Sequence, residues 1–126
     1  TAGQIKSPSL RMKLFNLAIK AGFKLPNIIS PNAYVSKHSS IGNGVVVMHN
    51  AIVNASVSIG DNCIINSKAL IEHDCLISKH CHISTNANIN GGVTVESGCF
   101  VGSGATTREL ITISENSFIK AGSLVV

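Results

Sequence analysis

This chain has almost no aromatic surface to bury. Tryptophan is absent, tyrosine occurs once, and aromatics make up 4% of 126 residues. Its core therefore has to be assembled from many small and β-branched side chains. Charge is scarce as well, at 13% of residues against 44% hydrophobic, which excludes a chain held open by self-repulsion. Long apolar runs are missing: the longest are short pieces such as Val45–Met48, far below the roughly 18–20 residues of a membrane span. The stretch from Thr1 to Lys24 scatters its lysines through a helix-like pattern and does not read as a secretory signal. A soluble cytoplasmic protein is expected.

Acids are missing from that same leading stretch, where Lys6, Arg11, Lys13, Lys20 and Lys24 stand. The formal net charge of +4 comes from this leader, since the rest of the chain is near neutral. A basic leader with no stacking aromatics beside it is a poor footprint for nucleic acid and is read as a solvated helix face. Also absent is any clustered Cys/His spacing of the kind a metal site needs, so no metal is expected.

What is present is a period. From Ile29 to Val125 every sixth residue is Ile or Val, with Thr107 the one exception. Four residues after each stands Ala, Ser, Cys or Val, with Ile111 the exception. Six is a multiple of two, so in extended chain each repeat presents its aliphatic residue to the same face. On a helix the same positions would advance about 600° and wander around the cylinder. Asn, Gly and Ser between the aliphatics, as in Gly42–Gly44 and Gly102–Gly104, supply turns at regular intervals. Short strands joined by regular turns, each needing its neighbour to bury its inner face, make an all-β solenoid. Cys63, Cys75, Cys81 and Cys99 all occupy the small slot, where a thiol acts as a compact buried hydrophobe rather than as part of a disulfide framework.

The pattern over residues 29–125 resembles the hexapeptide-repeat proteins. That resemblance implies a left-handed parallel β-helix with three hexapeptides to each coil, hence about five coils over residues 29–126. Before it, Ser7-Pro8 reads as an N-cap with proline at the first helical position. Leu10, Leu14, Leu17, Ala18 and Ala21 form the apolar stripe of one amphipathic helix, with Arg11, Lys13, Asn16 and Lys20 mostly opposite. This helix is expected to cap the open end of the solenoid or to pack on a partner.

Among the five histidines, His38, His49, His73 and His80 fall at turn positions and are expected to project outward. His73 is flanked by Glu72 and Asp74, and a carboxylate on one ring nitrogen fixes the tautomer and raises the basicity of the other, as a general base requires. The segment from Asn66 to Ser84 is similar to the branch of hexapeptide acyltransferases that contains sialic acid O-acetyltransferases and nucleotide-sugar N-acetyltransferases. The motif is Asn, then six residues, then His-Asp/Glu-Cys, then a second His nine residues after the first. Asn66, His73, Asp74, Cys75 and His82 meet it. The resemblance implies His73 as general base, tuned by Asp74 with Glu72 a second candidate. It implies acetyl-CoA as co-substrate, contacted by His82 and, in the family's groove, by Gly91, Ser103 and Ala121. Asn66 falls at a motif position near the acceptor substrate. A backbone N–H near Gly91-Gly92 would meet the oxyanion.

His73 and His82 lie half a coil apart, so one reaction can use both only if His73 of one chain meets His82 of the next. The family's trimers, with acetyl-CoA between subunits, fit this, and a homotrimer with interfacial sites is expected. Members of the branch begin with a small βαβ nucleotide-sugar-binding domain; residues 1–28 are expected to be the helical remnant of such a region, and residues 29–126 the repeat domain. Two other readings remain: a non-catalytic solenoid used for assembly, and a zinc hydratase of the carbonic anhydrase type. The latter needs two histidines five residues apart, and no pair here has that separation.

Overall fold

Each six-residue repeat folds into a two-residue strand, a turn and a link to the next strand. In the computed structural model, which describes residues 3–126, seventeen such strands run from β1 (Ile28–Ile29) to β17 (Leu124–Val125). Each strand pairs in parallel with the third strand before and the third after it, those of the first and last coils with one only, so partners such as Val46 and Ile64, or His82 and Phe100, lie one full coil apart. Three parallel sheets of six, six and five strands result, wrapped as a triangular prism of about five coils. Face 1 presents Ile28, Val46, Ile64, His82, Phe100 and Phe118 outward. Face 2 presents Tyr34, Ile52, Leu70, Asn88, Thr106 and Leu124; face 3 presents Ser40, Ser58, Leu76, Thr94 and Thr112.

The aliphatic and small slots both point inward. Val47, Ile65, Ile83 and Val101 on one side, and Ala51, Ala69 and Ala87 on another, are buried. Each buried Ile or Val contributes about 1.5–3 kcal/mol, and the two slots alternate large with small so that the narrow triangle fills. Thr107, at the one irregular aliphatic position, is 1% exposed, and its hydroxyl accepts the Asn90 N–H at 2.9 Å. The four cysteines are free and buried in the small slot. Cys63, Cys75, Cys81 and Cys99 each donate S–H to a carbonyl of the next coil, at 3.0–3.1 Å.

The turns repeat as strictly as the strands. Three residues after each aliphatic, from Gly44 to Gly122, the backbone is left-handed. Glycine and asparagine suit this conformation; Leu110, at φ 58°, does not. The turn N–H groups continue the ladder, as when Asp74 N–H donates to Ala55 O and Gly92 N–H to His73 O.

The leading helix α1 (Ser9–Lys20) departs from expectation in three ways. Pro8, not Ser7, occupies the N-cap, without a side-chain capping bond. The expected apolar stripe faces outward: Leu10, Leu14 and Leu17 are 59%, 47% and 52% exposed, while Arg11 is buried. The inner face is instead Arg11, Phe15 and Ala18, at i, i+4 and i+7, because the surface it meets is a column of turn residues and carbonyls rather than an open apolar coil end. The helix does not cap the solenoid. It runs down the edge where face 3 turns into face 1, with Pro8 beside Gly98, Arg11 bonded to Asn62, and Phe15 against His80 and Gly44.

Two substitutions test this turn geometry in opposite directions. Leu110→Asn, at an 80% exposed left-handed position, should raise stability by up to about 1 kcal/mol. Gly102→Ala should lower it by about 1–3 kcal/mol, because its methyl would stand 2.5 Å from Ala121 N and 2.7 Å from Ile119 O. Urea unfolding checks both, and reversed signs would contradict the account.

Candidate active site

Stacking of successive coils sorts the sequence candidates by prism edge. The turn after β8 (Leu70–Ile71) carries Glu72, His73 and Asp74 on the edge between faces 2 and 3, with Gly91 one coil above His73. His73 Nδ1 and Asp74 Oδ2 are 2.8 Å apart, and the two side chains are 66% and 65% exposed. The carboxylate accepts from Nδ1–H, which in the neutral ring leaves Nε2 as the bare nitrogen. Asp74 lies in the left-handed region at φ 61°, which aims its carboxylate back at the ring of the preceding residue.

Gly91 makes room for that ring. A β-carbon there would stand 2.8 Å from His73 Cε1 and 2.9 Å from Nε2, so the ring holds this position only while residue 91 is glycine and would have to shift for a larger one. Gly92 N–H is already committed to the His73 carbonyl at 2.9 Å. Of the two N–H groups expected to serve an oxyanion, that of Gly91 makes no hydrogen bond among the described residues. Glu72 is held away from the histidine: its Oε2 accepts from Asn54 Nδ2 at 2.8 Å, one coil below.

The edge between faces 1 and 2 carries Asn66, Ser103 and Ala121, and His82 lies on face 1 beside it. Ser103 and Ala121 are exposed; Ser103 Oγ is 2.9 Å from Ser84 Oγ. His82 is only 8% exposed, with its ring edge against Phe100 at 5.2 Å between centroids. Its Nδ1 is 2.7 Å from the Gln4 carbonyl and its Nε2 is 3.1 Å from Asn66 Nδ2. Within one chain, therefore, the structure joins His73, Asp74 and Gly91 on one edge, and Asn66 with His82, near Ser103 and Ala121, at another.

The third edge is taken by α1. His80, expected to point outward, is buried there: Asn62 Nδ2 is 2.9 Å from its Nδ1, and Phe15 meets the ring edge-on at 5.7 Å. Burial lowers its pKa, helped by Arg11 and Lys79 and opposed by Asp61. Burial also lowers that of His82, against the raising effect of its bond to Gln4. The sequence reading missed Gln4 and Arg11. Arg11 donates to Gln4 Oε1 and to Asn62 O, and Gln4 Nε2 reaches the carbonyls of Gly98 and Cys99 at 3.4 and 3.3 Å. The only available signal was the i, i+4, i+7 spacing of Arg11, Phe15 and Ala18.

Among the described residues no three His, Cys, Asp or Glu side chains converge as a metal site, and no helix is long and apolar enough to cross a membrane.

Three comparisons bear on this geometry. The family model described as bacterial transferase hexapeptide (six repeats) matches residues 38–73. The chain is similar to a histidine-to-asparagine variant of perosamine N-acetyltransferase from Caulobacter crescentus, solved with CoA and GDP-perosamine. The two are 38% identical over 97% of this chain and 58% of that one, with a TM-score of 0.94. It is also similar to the acetyltransferase domain of PglB from Neisseria gonorrhoeae FA1090, at 34% identity over 97% of this chain and 60% of that one, TM-score 0.94. The same domain in complex with acetyl coenzyme A matches at 33% identity over 96% and 61%, TM-score 0.91. This chain thus spans about three fifths of the length of these relatives. No curated protein sequence matches it.

The buried histidines set a pH dependence. A histidine whose folded pKa is depressed stabilises the fold fully above its unfolded value, about 6.5. That contribution is lost as pH falls toward the folded value. Urea unfolding from pH 7.5 down to about 5 should therefore show falling stability, and His82→Gln should remove part of the loss. Stability that stays flat over this range would contradict the buried neutral state.

Proposed function

We propose that this chain, matched by the bacterial transferase hexapeptide model over residues 38–73 and similar to a perosamine N-acetyltransferase, transfers acetyl from acetyl-CoA to an amino group of a nucleotide-linked sugar. The observation that carries the reading is the His73–Asp74 pair laid over Gly91: a solvent-accessible imidazole with one nitrogen held by a carboxylate, the other bare, and an unspent backbone N–H close by. The choice of nitrogen over oxygen as acceptor, and of a nucleotide sugar over a free one, rests on the neighbours' printed substrates: a perosamine N-acetyltransferase with CoA and GDP-perosamine bound.

His73 Nε2 takes the proton from the acceptor amine as its nitrogen attacks the thioester carbonyl. Asp74 holds the Nδ1 proton and stabilises the imidazolium that forms. The Gly91 N–H donates to the carbonyl oxygen as it gains charge. The tetrahedral species collapses with cleavage of the C–S bond, and the proton on His73 passes to the departing thiolate. Glu72, tied to Asn54, stays outside the proton path and borders the acceptor.

The coenzyme would lie along the other open edge, bordered by Asn66, Ser103, Ala121 and His82. A single chain keeps these apart from His73, so the complete site forms where the 2–3 edge of one protomer meets the 1–2 edge of the next. Three such head-to-tail contacts close into a C3 homotrimer. Helix α1 lies on the remaining edge and leaves both contacting edges free.

His73→Ala should lower kcat for acetyl transfer by about two to four orders of magnitude without altering the fold, because the side chain is two-thirds exposed. Gly91→Ala should act in the same direction by displacing the ring. Turnover is followed by thiol release with GDP-perosamine as acceptor and with free amino sugars as controls. Near-normal turnover in His73→Ala would remove the histidine from the role, and absence of any transfer or of CoA-induced thermal stabilisation in the wild type would sink the enzymatic reading.

A further inference from the structure

The regular ladder is interrupted at one place, directly above the His73 turn. From Ser30 to Arg108, the residue after each inward aliphatic donates its N–H to the carbonyl of the corresponding residue one coil on; Asn90 alone does not. Its N–H goes to the Thr107 hydroxyl at 2.9 Å, and its side-chain Nδ2 takes the Thr107 carbonyl at 2.7 Å. Backbone and side chain have exchanged partners. Between β11 (Asn88–Ile89) and β14 (Thr106–Thr107) the ladder accordingly keeps the pair Asn88–Thr106 and lacks Ile89–Thr107. Thr107 is also the one break in the Ile/Val period, and it is fully buried. A hydroxyl in place of a buried methyl gains nothing for the core, so packing does not account for it.

Asn90 and Gly91 share a peptide unit, and the N–H of that unit is the unspent one at the residue the His73 ring lies against. Its carbonyl, Asn90 O, accepts the S–H of the buried Cys75 at 3.1 Å. In a planar trans peptide C=O and N–H point in opposite directions, so a carbonyl drawn inward turns the Gly91 N–H outward. Ser78 and Glu96, whose carbonyls accept from Cys63 and Cys81 in the same way, keep their own N–H in the ladder. Asn90 differs in being held at its N–H, its side-chain amide and its carbonyl together, with the N–H bond rerouted through a side chain. The one irregular repeat in the solenoid therefore bears on the orientation of one peptide plane.

We propose that Asn90 and Thr107 are positioning residues for acetyl transfer: their exchange of partners sets the tilt of the 90–91 peptide and aims the Gly91 N–H at the carbonyl oxygen of the thioester that His73 serves. Neither side chain touches the substrate; both act through Gly91. Valine at 107 would return the Asn90 N–H to the regular ladder, and the tilt would be lost. The catalytic half of this assignment rests on the acetyltransferase reading; the exchange of partners does not.

Thr107→Val and Thr107→Ser separate aim from packing. Thr107→Val supplies a residue type that the period uses elsewhere, so stability in urea should hold or rise. Its kcat for acetyl transfer to GDP-perosamine should nevertheless fall about tenfold, part of the effect of losing an oxyanion donor, with KM for acetyl-CoA unchanged. Thr107→Ser keeps the hydroxyl and should keep near-wild-type kcat, although the missing methyl lowers stability. Amide resonances of Asn90 and Gly91, followed by nitrogen–proton NMR in the intact protein, should move in Thr107→Val and stay in Thr107→Ser. An unchanged kcat in Thr107→Val overturns the proposal, and so do unmoved resonances. Equal loss of kcat in both variants overturns the positioning role alone. Absence of acetyl transfer by the wild type overturns the acetyltransferase reading, and the catalytic role of the pair with it, while the exchange of partners stands.

Discussion

Parallel pairing of each strand with the third strand before and after it is the constraint on which the rest of this molecule depends. Each strand is only two residues long, so no strand is stable alone, and the ladder N–H and C=O groups are satisfied only by the coils above and below. The pairing holds because each turn from Gly44 to Gly122 puts a left-handed residue at the same place, and because the inward slots alternate Ile or Val with a small residue. One consequence is positional. A residue's place within its coil fixes which face or edge carries it. Functional groups distant in sequence, such as His73 and Gly91, become stacked neighbours about 4.8 Å apart without any loop to place them.

That same regularity explains what could be read in advance. The core was legible because the period imposes it: Ile83, Ala87 and Cys99 fall in inward slots and are wholly buried. The pairing of His73 with Asp74 was legible because adjacent residues in a turn are forced close. The helix was legible in its existence but not in its orientation. A stripe of leucines predicts burial only where the facing surface is apolar, and the edge that α1 meets is a column of Gly44, Asn62, His80 and Gly98, rich in carbonyls. There a guanidinium makes better contacts than an isobutyl group, so Arg11 went in and Leu14 stayed half out. His80 is buried for the same reason, as the covered member of that column, whereas His73 holds the equivalent kind of turn on an uncovered edge.

The three prism edges have thus been given different work. One is occupied by the leading helix. A second carries a carboxylate-held imidazole over glycine, the edge to which the proposed reading gives proton transfer. The third carries an amide and small exposed side chains, Ser103 and Ala121, which leave room for an extended ligand. Glu72 and Asp74 flank the same histidine, yet only Asp74 bonds it. Strand alternation sends Glu72 toward Asn54, whereas the left-handed turn bends Asp74 back on the ring. In the proposed reading, chemistry and ligand binding are separated by one face of the prism, the gap that a neighbouring protomer would bridge.

Subunit complementation tests that division most directly. His73→Ala and Asn66→Ala protomers, each nearly inactive alone, would be co-expressed and assembled at random. If the site is shared between protomers, about a quarter of the interfaces combine an intact His73 edge with an intact Asn66 edge, and activity returns to about that fraction of wild type. If both edges served a site within one chain, the mixture would be no more active than its components.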